Sequence, residues 1–159
     1  ENHEITSQRT IKYNCIAWAA RNTDRWWQPG VYWPIESSRE DHGIGNVVAA
    51  FHSHGYEECD DGELEEAFEK LALYGSAMMY THAARQLPDG RWTSKLGQLE
   101  DITHTTTEVI DKALATVPTK RVLTWCKEVL GQSVQAKRKK AFASPKETEQ
   151  KRDQFKVAV

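Results

Sequence analysis

Two periods of hydrophobic and polar positions run along the chain. Ile16 and Ala19–Ala20, spaced i, i+3, i+4, predict a short helix from about Ile16 to Arg21. In "GNVVAAFHSHG" (Gly45–Gly55), Val47, Val48 and Phe51 give a buried stripe and Gly55 a stop, so a second helix is predicted. "YEEC" reads as a short strand before the turn "DDG", and "EKLALYG", with Leu71 and Leu73 alternating, fits a strand or a helix. "YTHAARQL" and "RWTSKL" flank "PDG", the strongest hairpin signal in the chain, because Asp-Gly accommodates positive φ. "HTTTEVIDKALATV" predicts a helix starting near Thr105–Thr107, with Glu108 in its first turn and Pro118 just past its end. "RVLTWCKEVLG" fits another helix or a closing strand.

Between the first two helices, "DRWWQPGVYWP" (Asp24–Pro34) is a loop carrying large apolar rings. From Gln135 onward the chain is polar, lysine-rich and weakly periodic, which predicts a frayed helix or a tail. Helices first, strands in the middle and helices last predict an α+β fold, with residues 1–134 as one domain and 135–159 as a basic polar extension.

Composition narrows the class without choosing a function. The chain has 159 residues, enough for one domain with a real core. Hydrophobic residues make up 39% and charged residues 28%, an ordinary globular balance. A formal charge of −2 creates no field that selects nucleic acid or an anionic membrane. No apolar run approaches the roughly 18 residues needed to span a bilayer. The first residues, "ENHEITSQRT", lack the apolar stretch of a secretion signal, although a chain starting at Glu1 leaves an upstream segment open. Cys15, Cys59 and Cys126 are odd in number and widely spaced, so a disulfide framework is not expected and a reducing cytoplasm is.

Candidate chemistry centres on Cys15. A thiol nucleophile needs stabilisation of its thiolate, a base within hydrogen-bond reach, and donors for an oxyanion. Cys15 precedes a helix, and His82 opens a predicted strand directly before the small residues Ala83 and Ala84. A third polar group to orient the imidazole would come from the return strand or the loop after it, where Ser94, Lys95, Glu100, Asp101 and His104 lie. The same residues also read as structure alone: a cysteine on an alanine-rich helix packs as a small hydrophobe.

"YNCIAWA" and "THAARQLPDGRWTSKLGQLEDITH" together resemble a family of small bacterial proteins with NCxAWA, HAA, SKLG and later His motifs. That family is similar in turn to papain-like cysteine hydrolases, including cell-wall amidohydrolases. The resemblance implies a papain-like α+β domain, with a nucleophile helix packed on a small antiparallel sheet. It implies Cys15 as nucleophile, His82 as base and Ser94 as the orienting residue of a hydrolase or acyltransferase acting on an amide, peptide or isopeptide bond. The Cys15 backbone N–H, with Asn14 or Gln8, would stabilise the oxyanion. Asn14, Trp26, Trp27, Lys95 and His104 would contact a peptide or protein substrate.

The rival reading is a non-catalytic protein-binding module, using the tryptophan loop or the basic tail. No cofactor is implied. Cys15, Cys59, His82 and His104 lack the short spacing of a structural zinc site, so no metal is expected. "HSH" (His52–His54) puts its two imidazoles on different helix faces, and "EECDDGELEE" lacks the calcium-loop pattern and reads as a solvated turn.

Overall fold

The computed structural model describes residues 3–113 and 121–128. Seven strands form one sheet: β1 (His3–Ile5), β2 (Glu57–Glu58), β3 (Phe68–Gly75), β4 (Tyr80–Gln86), β5 (Trp92–Lys95), β6 (Asp101–His104) and β7 (Arg121–Glu128). Their spatial order is β1-β6-β5-β4-β3-β7-β2, and every pairing is antiparallel. Among the described residues three short helices accompany them: α1 (Cys15–Ala19), α2 (Ile44–Ser53) and α3 (Thr107–Ala113).

This overturns the expected α+β, papain-like arrangement: the protein is a β-rich fold built on one antiparallel sheet. The two segments that fitted either helix or strand, Phe68–Gly75 and Arg121–Glu128, are both strands and pair with each other at eight positions. β3 lies inside the sheet and is buried on both faces from Glu69 to Gly75, its two charged residues included, so burial along it does not follow the Leu71–Leu73 alternation. β1 and β6 add two strands at the other side of the hairpin that the pattern did not suggest. The proposed extension over 135–159 lies outside the described residues.

The hairpin is as expected. β4 and β5 pair through Ala84–Ser94, Arg85–Thr93 and Gln86–Trp92, and Gly90 takes a φ of 85° in the turn.

Strand parity divides the interior in two. On one face, α1 and α2 bring Ile16, Ala17, Val47 and Phe51 against Leu71, Leu73, Ala83 and Trp125. On the other, Ala72, Tyr74, Ala84, Trp92 and Ile102 pack with Ile110 of α3. These are called the α1 face and the Trp92 face below. Ala83 lets α1 approach the sheet closely, and its neighbours in sequence, His82 and Ala84, therefore point to the far side.

Trp27 and Trp33 are ring anchors of the loop. Trp27 is buried against the α1-face core, and Trp33 packs beside it with its indole N–H donating to Asn46 at 3.0 Å.

Candidate functional site

Cys15 is the first residue of α1. Asn14, just before it, is saturated: its Oδ1 accepts the Ala17 N–H (3.1 Å) and the Trp27 N–H (3.2 Å), and its Nδ2 donates to the Trp27 carbonyl (2.7 Å). It caps the helix and staples the tryptophan loop to it. The Cys15 sulfur is buried and receives the backbone N–H of Ala83; Lys95 and Tyr80 are its charged and phenolic neighbours. Burial pushes the thiol up, outweighing the opposite pull of the Ala83, Ile16 and Cys15 amides and the Lys95 charge.

Lys95 is itself fully buried. Its ammonium donates to the Leu99 carbonyl and lies 5.5 Å from the centre of the Tyr13 ring. The Tyr13 hydroxyl donates to Asp101 Oδ2 at 2.7 Å, and burial, that bond and the carboxylate charge push the phenol up to about 12. Asp101 faces Lys95 across the β5–β6 ladder, and its other oxygen, Oδ1, is buried without a hydrogen-bond partner among the described residues. The surroundings of Cys15 on the α1 face thus hold an ammonium, a carboxylate and the phenols of Tyr13 and Tyr80, with no imidazole among the groups that perturb the thiol.

His82 lies across the sheet. It pairs with Tyr74, a core residue of the Trp92 face, and the two rings meet edge-on at 5.6 Å. Its Nε2 is buried and has no hydrogen-bond partner among the described residues. Burial, with His104 nearby, pushes the imidazole down to about 3. The expected Cys15–His82 pair is therefore not assembled. The sheet separates the two groups because His82 and Ala83 are consecutive on one strand, and Ala83 is the residue that meets Cys15.

Ser94 and His104 also belong to the Trp92 face, and they are joined. His104 Nδ1 lies 2.8 Å from the Thr106 carbonyl, which can only accept, so Nδ1 carries the proton. Nε2 is then the acceptor for the Ser94 hydroxyl at 2.9 Å. Serine donating to an oriented imidazole is the geometry of a nucleophile and its base. Here Ser94 is 0% and His104 1% exposed, so no substrate carbonyl reaches the hydroxyl, and the pair acts as a buried tie between β5 and β6.

Of the remaining expected substrate contacts, Trp27 is 3% and Lys95 0% exposed, while Trp26 is half-buried and spends its N–H on Gln28 at 3.0 Å. They do not form one surface. Gln8 is exposed. Among the described residues no group of three or more His, Cys, Asp or Glu side chains is placed to hold a metal ion.

An open cleft lies elsewhere among the described residues, on the Trp92 side of the sheet. A cleft of about 540 Å³ is lined by Gly62–Leu64, Gln86, Trp92 and Thr105–Glu108, with Asp89, Gly90 and Thr124 at its margins. One wall is the loop after β2. Gln86 Nε2 donates to the Gly62 carbonyl at 2.8 Å, and a Cβ built on Gly62 would stand 3.2 Å from the Trp92 ring, so this backbone lies flat against the indole. The acidic run that read as a solvated turn thus supplies Glu63 to a walled cleft. Sequence alone marks Gly62 as a turn residue but not what it covers.

These features place the chain with a β-rich domain whose chemical groups are divided between two faces of one sheet. It belongs to a family described as a domain of unknown function (DUF7689), matched over residues 4–117. No curated protein and no solved structure matches the chain. Among the described residues no helix is long and apolar enough to cross a membrane.

Proposed function

We propose that this domain binds a protein segment non-covalently in the Trp92-side cleft, rather than turning over a substrate through Cys15. The observation that carries the reading is the separation of Cys15 from His82 by the sheet, with the thiol pushed up and the imidazole pushed down. Both shifts oppose the thiolate–imidazolium state that a cysteine hydrolase uses. The cleft offers an indole edge, threonine hydroxyls and the carboxylates of Glu63, Asp89 and Glu108. Asp89 is held ionised by hydrogen bonds from Arg91, 2.8 Å away through its Nε. An extended segment bearing lysine or arginine suits that lining: its stem lies along the exposed Leu64 while its cation meets the rim.

Two measurements test this. With iodoacetamide at neutral pH, Cys15 should be the slowest of the three thiols to react in the folded protein, at a rate unchanged by His82→Ala. Faster labelling of Cys15 than of Cys59 and Cys126, lost in His82→Ala, would restore the hydrolase reading. Titration with lysine-containing peptides should shift the NMR resonances of the Trp92 indole and Thr105–Thr107. Glu63→Gln should weaken that binding roughly two- to five-fold, the scale of an exposed charge pair. Peptide-induced shifts confined to other surfaces would sink the cleft assignment.

A further inference from the structure

Cys59 and Cys126 are distant in sequence and adjacent in the sheet. β2 pairs with β7 so that Glu57 faces Cys126 and Glu58 faces Trp125, and the Cys59 amide then donates to the Thr124 carbonyl at 3.0 Å. Continuing that ladder puts Cys59 and Cys126 on the same face, one diagonal step apart. The Cys59 thiol donates to the Asp61 carbonyl at 3.6 Å with Cys126 as its neighbour, and both cysteines are free and partly exposed. Cys15, the remaining cysteine of the chain, is buried on the opposite face and faces neither of them.

We propose that Cys59 and Cys126 are a modification site: they close an intrachain disulfide when the protein meets a peroxide or a low-molecular-weight disulfide. With hydrogen peroxide, one cysteine sulfur attacks a peroxide oxygen, the O–O bond breaks, and a sulfenic acid and one water result. The second sulfur then attacks the first, the S–S bond forms, and the sulfenic oxygen leaves with both remaining protons as a second water. Two thiols and one peroxide thus give one disulfide and two waters. With a glutathione-type disulfide, two exchange steps release two reduced thiols instead.

The surroundings act on the pair in opposite senses. Burial, together with the neighbouring Cys126, pushes the Cys59 thiol up to about 12, away from the thiolate that either step needs. Lys70, opposite Cys126 on β3, supplies a positive charge that favours the Cys59 thiolate. The same ammonium is held by Asp61 at 3.1 Å and Glu65 at 3.7 Å, so it is fixed beside the pair. The product would tie the two-residue edge strand β2 to the long strand β7 covalently.

Peptide mapping after oxidation and alkylation tests the proposal. The reduced full-length protein is treated with hydrogen peroxide, or separately with oxidised glutathione, then alkylated in denaturant and digested. A linked peptide pair containing Cys59 and Cys126 is expected from monomeric protein, with Cys15 recovered alkylated. Cys59→Ser and Cys126→Ser should each abolish the link. Oxidation should also raise the thermal midpoint of the wild type by about 5–10 °C, and of neither variant. Recovery of Cys59 and Cys126 as separate glutathione adducts or sulfinic acids, or only in links between molecules, overturns the assignment. The wild-type peptide map decides the matter even if a serine variant fails to fold.

Discussion

Lowering the pH from 6.5 towards 3 should strip several kcal/mol from the stability of this domain, and His82 should account for most of the loss. Its folded value lies near 3, against an ordinary imidazole value of 6.5. Between those limits the unfolded chain binds a proton at this position and the folded chain does not. Stability is therefore complete above about pH 6.5 and falls by ~1.4 kcal/mol for each pH unit below it, until the folded imidazole also titrates. His104, lowered by burial and held by Thr106 and Ser94, adds to the same limb.

The cause is local and removable. His82 is buried edge-on to Tyr74 with an Nε2 that has no partner among the described residues, so the neutral ring already bears the cost of an unmet hydrogen bond, on the order of 1–3 kcal/mol. His82→Leu removes both that cost and the titration. Urea unfolding at pH 7 should find the variant within about 1 kcal/mol of the parent or more stable, allowing for repacking against Tyr74. At pH 4.5 it should be clearly the more stable of the two. An unchanged acid slope in His82→Leu would mean that other groups drive acid unfolding.

The same residue shows what the sequence could reveal. The hairpin over Tyr80–Lys95, the helices near Ile16 and Thr107, and the short strand at Glu57 are all readable, because each has a local signal: the Asp89–Gly90 turn, the Ile16 and Ala19–Ala20 spacing, the threonine run before Glu108, and the turn at Asp60–Gly62. The long strands Phe68–Gly75 and Arg121–Glu128 were not separable from helices, because an internal strand covered on both faces loses its alternation. The site was misread for a related reason. Cys15 and His82 matched a family motif, but facing depends on parity, and on a strand adjacent residues cannot both meet one helix. Ala83 was the informative position: once a small residue is assigned to receive α1, His82 must turn away. Asp101 and Tyr13 carried no local sign of being partners, since β6 was not recognisable as a strand. The Cys59–Cys126 contact depends on the pairing of β2 with β7, which no spacing of cysteines encodes.

Replacing Asp101 with alanine should cost roughly 2–4 kcal/mol, from the lost acceptor of a buried hydroxyl together with the lost attraction on a buried cation. Lys95 is fully buried, and desolvation already lowers its affinity for a proton, with the Asp101 carboxylate opposing that effect. Asp101 also accepts the Tyr13 hydroxyl, and the Tyr13 ring in turn lies beneath the Lys95 ammonium. Alanine removes the counter-charge and the acceptor together, leaving a buried cation and a buried phenol without them. Asp101→Asn keeps an acceptor for Tyr13 but drops the charge, so its loss should be distinctly smaller than that of alanine. The sharper measurement is the pair: if the cost of Asp101→Ala arises from stranding Lys95, then Lys95→Met should recover part of it in the double variant, giving a coupling of at least about 1 kcal/mol by urea unfolding. Additive losses would show that the two charges stabilise the fold independently. In that case the Lys95 ammonium would be satisfied by the Leu99 carbonyl and the Tyr13 ring, and Asp101 would serve chiefly to hold β6 to the segment before α1.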